Sequence, residues 1–187
     1  LKKRIKINGK EVSKRNELLG CNNVVVLSPE EQRVTKESTK QRRIFFDKLF
    51  SITSKNYIKT LQEYNKVLKQ RNTVLKNTTD FIESDKKIAP WDDIIIQKGL
   101  KLWKQRYTKL LTFKSLFKNV TSNYNSKLNL NFSFNENIIN QKEYKEKMLK
   151  NRGKDILLKR TSFGPHLDQY TFFWNDKNLR NFGSQGE

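Results

Sequence analysis

Histidine, cysteine and methionine each occur once in this 187-residue chain, and proline three times. A single Cys21 allows no intrachain disulfide and, beside one histidine, no zinc cluster. Next to the apolar run from Val24 to Leu27 it reads as a small buried residue in a protein of the reducing cytosol. His166 excludes a His-rich metal site by being alone. As a catalytic imidazole it would need Asp168 as its orienting partner, and only a loop could bring the two together, because a strand stretches them apart. A structural role in a turn is the expectation. Long apolar runs are also missing: Val24-Val25-Val26-Leu27 and Ile94-Ile95-Ile96 fall far short of the roughly 20 residues of a membrane span. Basic residues open the chain at Leu1-Lys2-Lys3-Arg4, yet no apolar signal segment follows them. The reading is a cytoplasmic chain with no membrane contact.

Positive charge is what the sequence has in excess. Lys and Arg number 39 against 19 Asp and Glu, a formal net charge of +20 with a pI near 10.0. Such a field attracts polyanions at long range and weakens with salt, so nucleic acid is the natural partner class. The alternative is that an AT-rich genome supplies the many Lys and Asn codons. A helical nucleic-acid-binding module without enzymatic activity is the reading that charge alone supports.

The pattern along the chain alternates short strands with long helices. Ile5-Lys6-Ile7, Asn8-Gly9 and the run through Val12 read as a hairpin, since Asn-Gly supplies the positive φ angles of a tight turn. Val24 to Leu27 reads as a buried strand, followed by a helix with Ser28 as cap, Pro29 at its first position and Glu31 completing a capping box. From about Lys55 to Asp85, Tyr57, Leu61, Tyr64, Leu68 and Leu75 recur at helical spacing, with Arg71 interrupting the stripe. Pro90 is expected to separate this helix from a second stripe of Ile96, Leu100, Trp103, Tyr107, Leu110, Phe113, Phe117 and Val120, with Asp92 or Asp93 at its start. The stripes would bury each other in an antiparallel helical hairpin. Leu128 to Phe134 alternates like a strand, a short helix is expected around Glu143 to Asn151 with Gly153 ending it, and Asp155-Ile156-Leu157-Leu158 should lead back to a sheet. There Tyr170 to Trp174 forms a strand and Asn175-Asp176-Lys177-Asn178 a turn.

Basic residues lie on the faces opposite the stripes. Lys55, Lys59, Lys66, Lys69 and Lys76 do so on the first helix, and Lys98, Lys101 and Lys109 on the second. A solvated face is the default reading, and contact with a DNA backbone is the functional one, with Lys66, Lys69, Lys98 and Lys101 as candidates. Arg42 and Arg43 either bind DNA phosphates or pair with Glu30, Glu31 and Asp47 at a joint between sheet and helices. The last residues, Gly183-Ser184-Gln185-Gly186-Glu187, read by themselves either as an ordinary turn or as a small polar loop whose hydroxyl and N–H groups suit an anion such as a nucleotide phosphate.

Three stretches carry a family resemblance. Ser28-Pro29-Glu30-Glu31 runs on to Arg42-Arg43-Ile44-Phe45-Phe46-Asp47, and Glu63 to Asn72 includes Tyr64-Asn65, Leu68 and Arg71-Asn72. Gly164-Pro165-His166-Leu167-Asp168-Gln169 then precedes the strand pair and the Ser184 loop. In this order they closely resemble the RecF family over the whole chain. The chain departs from the family's pattern at Glu37 and Thr39, where Gly and Pro are usual, at Leu167 for Arg, Gln169 for Asp and Glu187 for Gln.

The resemblance implies an α/β fold, part of an ABC-type P-loop ATPase lobe with an inserted α-helical lobe. Residues 1–50 would belong to the ATPase lobe and its joint, 51–155 to the helical lobe and 156–187 to the return into the ATPase lobe. It implies that Ser184, Gln185, Gly186 and Glu187 are the signature loop that closes over ATP held by a second subunit, in a homodimer formed on ATP with Mg²⁺. It further implies DNA binding and work with RecR and RecO to direct RecA loading at single-stranded gaps in the bacterial nucleoid. Neither a Gly-x-x-x-x-Gly-Lys-Ser/Thr loop nor an apolar strand ending in paired acidic residues occurs in the sequence. The family carries these before the position of Leu1 and after Glu187. The expectation is therefore a fragment that does not hydrolyse ATP by itself, with the Mg²⁺ ligands elsewhere in the parent protein.

Overall fold

The computed structural model describes residues 4–12, 34, 38–78, 80–124, 129–136 and 139–182. The expected strand at Val24 to Leu27, the helix capped by Ser28 and the loop from Gly183 to Glu187 lie outside the described residues. Strands β1 (Lys6–Ile7) and β2 (Lys10–Glu11) pair antiparallel around Asn8 and Gly9, whose φ angles of 48° and 81° are those the tight turn needs.

Helix α1 (Thr39–Thr53) starts where the Ser38 hydroxyl accepts the Gln41 N–H, and it turns Phe46 and Phe50 inward. Ser54 is extended, with φ −155° and ψ 111°, so it stops α1; its hydroxyl then accepts the Tyr57 N–H at 3.2 Å and starts α2 (Lys55–Asn77). A single 44-residue helix follows, α3 (Phe81–Tyr124), about 66 Å long at 1.5 Å per residue.

The break between these two helices is at Thr78 to Asp80, and Pro90 sits inside α3 rather than between helices. Thr78 takes extended angles, and the Asp80 carboxylate caps the new helix by accepting the Glu83 N–H at 2.7 Å. Pro90 removes one helical hydrogen bond, a cost of about 3 kcal/mol in a helix interior. Burial on both sides of it offsets that cost, because Ser84, Ile88, Asp92, Ile95 and Ile96 are all pinned in the core.

Helices α2 and α3 form an antiparallel hairpin, as the cross-pairs Glu63 with Lys98 and Arg71 with Asp92 require. The buried face of α2 is Tyr57, Thr60, Tyr64, Val67, Arg71 and Leu75, while Leu61 and Leu68 flank it half-buried. Arg71 therefore belongs to the stripe it was expected to interrupt. Helix α4 (Gln141–Leu158) opens with a complete capping box, Asn140 with Glu143, and runs back along α3. Gly153 does not end it. The helix continues to Leu158, about one and a half turns further, because Asp155 and Ile156 are buried, and it stops at Lys159 in a left-handed conformation. The stretch from Asp155 to Leu158 is thus helical, not the approach to a strand.

The second sheet has the order β3–β4–β5, formed by Leu130–Phe134, Tyr170–Trp174 and Lys177–Asn178. Phe132 pairs with Phe172 and Phe134 with Tyr170, and Asn175 and Asp176, with φ of 46° and 62°, make the β4–β5 turn. The inward face packs on the helices: the Phe46 ring lies 4.8 Å from Tyr170, 5.2 Å from Phe132 and 5.0 Å from Phe113 of α3. Burying Phe46 completely contributes roughly 1.5–3 kcal/mol, and it joins α1, α3 and the sheet in one core. A four-residue helix, α5 (Leu179–Phe182), follows β5 with Leu179 in that core.

Candidate functional site

Two buried arginines of the helical hairpin hold the segment that connects α4 to β4. Arg106 of α3, 3% exposed, points at the short 3-10 turn Pro165–Leu167. Its Nη1 donates to the Pro165 carbonyl at 2.6 Å and to Asp168 Oδ2 at 2.8 Å. Nη2 donates to both Asp47 oxygens, at 2.8 and 3.0 Å, and Nε donates to the Tyr57 hydroxyl at 3.0 Å. That hydroxyl in turn donates to Asp47. Asp168 also accepts the Trp103 indole N–H at 2.8 Å, and its carbonyl accepts from Arg43 at 2.7 Å. Burial alone would lower the Arg106 pKa, yet Tyr170, Tyr57, Asp47 and Asp168 around it raise it well above the ordinary value. Burial pushes the Asp168 carboxyl up while Arg106 and the indole N–H oppose it. Charge and geometry together make a fixed ion cluster, since every carboxylate in it faces a donor.

The second arginine, Arg71 of α2, is fully buried. It donates to Asp92 of α3 at 2.9 Å, to Asp155 of α4 at 2.7 Å and to the Thr161 hydroxyl at 2.8 Å. Asp155 also accepts from Ser162, and Asn72 accepts the Thr161 N–H and hydroxyl. Arg152 pairs with Asp92 and Asp85, so one network ties three helices and the chain that leaves them.

His166 lies between the two clusters. Its Nε2 is 3.0 Å from the Thr161 carbonyl, which can only accept, so Nε2 carries the proton and Nδ1 accepts from the Tyr64 hydroxyl at 2.7 Å. The partners are thus Tyr64 and Thr161, not Asp168, and the role is structural. Burial holds its pKa below the ordinary value. Gly164 has φ 139°, and a Cβ there would stand 2.6 Å from the Tyr144 hydroxyl and 2.7 Å from that of Tyr64. Only glycine fits both the angle and the space. Leu167 and Gln169, the two departures from the family pattern within this element, are exposed, so Asp168 alone supplies the charge of this element.

The candidate residues separate into three groups. Arg42 is 4% exposed, with Arg43 and Arg180 near it, and burial lowers its pKa first, those two charges next. Arg43 is half-buried and committed to the Asp168 carbonyl. Of the carboxylates expected to pair with them, Glu30 and Glu31 lie outside the described residues, and the contact Arg43 makes is with the Asp168 carbonyl. Lys66, Lys69 and Lys101 are exposed, whereas Lys98 is half-buried and donates to Glu63 at 2.9 Å, which lowers the Glu63 pKa. Ser184, Gln185, Gly186 and Glu187 lie outside the described residues. Sequence reasoning missed Arg106 and Arg71 as organisers. Their signal was present, since each is a cation placed at helical spacing among residues of an apolar stripe. Among the described residues no helix is long and apolar enough to cross a membrane, and no cluster of side chains has a metal-binding arrangement.

A long helical hairpin inserted ahead of a strand pair, on one shared core, is the architecture of the helical lobe in an ABC-type ATPase fold. Two solved structures of the recombination mediator protein RecF in the RecFOR pathway, one with ATP and one with ATPrS, superpose on 98% of the chain. Their TM-scores are 0.86 and 0.84, each with 25% sequence identity, over 51% and 52% of those chains. The DNA replication and repair protein RecF of Leptospira biflexa is 32% identical over all of this chain and 50% of its own length. That of Clostridium perfringens is 37% identical over all of this chain and 52% of its own. No family model matches. The chain belongs to the RecF family over the stretch it covers, and it spans about half the length of the curated relatives it matches.

Proposed function

We propose that this chain supplies the helical lobe and the signature-loop side of an ATP-binding recombination mediator acting in DNA replication and repair. The observation that carries the reading is similarity along the whole chain to RecF proteins, together with superposition on RecF bound to ATP. Residues 1–50 are part of the ATPase lobe and its joint to the helical arm, 51–155 the helical lobe and 156–187 the return to the ATPase lobe, ending in the signature loop. Ser184 and Gly186, with Gln185 and Glu187, approach the γ-phosphate of ATP held by a second subunit. Their chemistry suits the task, because a neutral hydroxyl and glycine N–H groups can come close to a phosphate. ATP with Mg²⁺ supplies the charge that the closed site must neutralise, and the dimer forms only when ATP is present. The exposed Lys66, Lys69 and Lys101 contact DNA backbone. The assembly acts in the bacterial cytoplasm at the nucleoid, where it works with RecR and RecO to direct RecA to single-stranded gaps as a slow, DNA-stimulated ATPase.

Ser184→Arg in the full-length protein tests the site. The substitution fills the space the partner's γ-phosphate must enter, so monomer ATP binding stays near the parental level while ATP-dependent dimers vanish. Sedimentation velocity with a non-hydrolysable ATP analogue reads the outcome. A dimer of parental affinity would remove the trans role of this loop.

A further inference from the structure

Between α3, α4 and the end of β3 lies an open cleft of about 430 Å³, lined by none of the residues assigned above to ATP or DNA. Its walls are apolar: Trp103 of α3, Phe134 of β3, Ile139 ahead of α4, and Phe163 and Leu167 of the segment that leaves α4. Leu167 stands 46% exposed on it. Two charged residues line the cleft. Asp168 is held by Arg106, so its charge is already balanced. Lys147 of α4 is exposed; its ammonium lies over the Phe163 ring, 5.3 Å from the centroid, and among the described residues it makes no ion pair. The cleft thus combines an apolar lining with one uncommitted cation.

The inner end limits what can enter. Past Trp103 and Phe134 the cavity narrows to about 30 Å³ beside Arg106, Tyr107 and Tyr170, which is space for a water molecule and not for a ring. The Tyr170 hydroxyl is buried without a partner among the described residues, and such a water would satisfy it. A ligand therefore stays in the outer part and is buried on one side, as the side chain of a bound peptide is; a small cofactor loses most of its surface to its pocket. A nucleic acid fits less well. Phe132 stacks on Phe134 at 5.8 Å and Lys114 stands over the same ring at 5.9 Å, while Lys147 covers Phe163, so these rings are engaged where a base would need an open face. One cation also neutralises only one phosphate. An apolar side chain needs no ring face, a neighbouring carboxylate pairs with Lys147, and the Gln169 amide and Ser133 hydroxyl offer hydrogen bonds to a main chain.

We propose that this cleft docks a protein partner through a large apolar side chain flanked by acidic residues, with the apolar group against Ile139, Phe163 and Leu167 and a carboxylate on Lys147. The net charge of +20 draws acidic segments at long range, and the apolar lining selects among them. The interaction is separate from the function proposed above, and its test uses neither nucleotide nor dimer formation.

Fluorescence anisotropy of labelled synthetic peptides with the full-length protein tests it, at about 0.15 M salt so that the long-range field is screened. One peptide carries a Phe between Asp residues, and a second of equal charge has Ala in its place. We expect the Phe peptide to bind about tenfold tighter than the Ala peptide, the difference that burying an aromatic side chain makes. Leu167→Asn should weaken the Phe peptide about fivefold and the Ala peptide little, whereas Lys147→Gln should weaken both about threefold. Both positions are exposed, so the variants should fold as the parent does. Lys150→Gln, an equal loss of charge on α4 outside the cleft, should leave both peptides at parental affinity. Equal affinity for the two peptides would reduce the interaction to charge and overturn the proposal. Parental affinity for the Phe peptide in Leu167→Asn or Lys147→Gln would do the same. So would an absence of saturable binding, which would mean that other parts of the full-length protein cover the cleft. A single-stranded oligonucleotide that displaces the Phe peptide, and that itself loses affinity in Lys147→Gln but not in Lys150→Gln, would make nucleic acid the occupant instead.

Discussion

His166 shows how much a single side chain can be made to do by its neighbours. Thr161 accepts its Nε2 proton, Tyr64 donates to Nδ1, and Arg43 and Arg106 oppose a second positive charge while Asp155 favours one. Burial is the largest cause, and it depresses the folded pKa below the ordinary 6.5. With a depressed pKa the unfolded chain takes up the proton first. The stability this site contributes is therefore complete above about pH 6.5 and is lost as pH falls through the folded value. Urea midpoints at pH 7.5 and 5.5 check this: the parent should lose more stability between them than His166→Gln does, and equal losses would mean that burial does not depress the His166 pKa. Arg71 and Arg106 are harder to read at this scale. A lone arginine in an apolar stripe resembles an error of pattern until its carboxylates are known, and Asp92, Asp155, Asp47 and Asp168 are each tens of residues away in sequence. Their value comes from pairing, since stranding one buried charge costs roughly 3–5 kcal/mol.

The elements that were legible in the sequence are those with local determinants. Asn8-Gly9 and Asn175-Asp176 carry their turn chemistry in two residues, Tyr170 to Trp174 is strand-forming by composition, and Asn140 with Glu143 closes a capping box. Where tertiary packing competes with a local signal, packing wins. Pro90 and Gly153 both read as helix ends, yet Ile88 with Asp92 and Arg152 with Asp155 hold the helices together across them. The stop at Thr78 is a local signal that went unread, because the Asp80 carboxylate caps the Glu83 N–H three residues on and the Ser84 hydroxyl reaches back to Thr78. If packing merely tolerates the proline, Pro90→Ala should stabilise the protein, by up to about 3 kcal/mol. Thermal or urea unfolding of the full-length variant reads this, and a destabilised Pro90→Ala would mean that the proline itself shapes α3.

At the scale of the molecule the proposed function raises the question of which surface would meet DNA. Lys66, Lys69 and Lys101 are exposed on the hairpin, while Arg42 is buried and Arg43 donates to the Asp168 carbonyl. A row of lysines with no base-reading motif binds by counterion release, with each neutralised phosphate contributing roughly 0.9 to the slope of log K against log salt. Replacing Lys66, Lys69, Lys98 and Lys101 by Gln should flatten that slope and weaken all duplex sequences alike. Binding titrations of the full-length protein at several salt concentrations measure it. Loss of both affinity and slope in an Arg42→Gln, Arg43→Gln variant, with the four-lysine variant unchanged, would move the DNA surface to the joint.

The composite nucleotide site is the claim on which the functional account turns, and the concentration dependence of ATP turnover tests it most directly. A site completed by the Ser184 loop of a second subunit cannot work in a monomer. Turnover per subunit of the full-length protein, measured with saturating ATP, Mg²⁺ and DNA, should rise with protein concentration and level off where sedimentation shows dimers. Turnover per subunit that stays constant down to concentrations at which only monomers sediment would contradict the account.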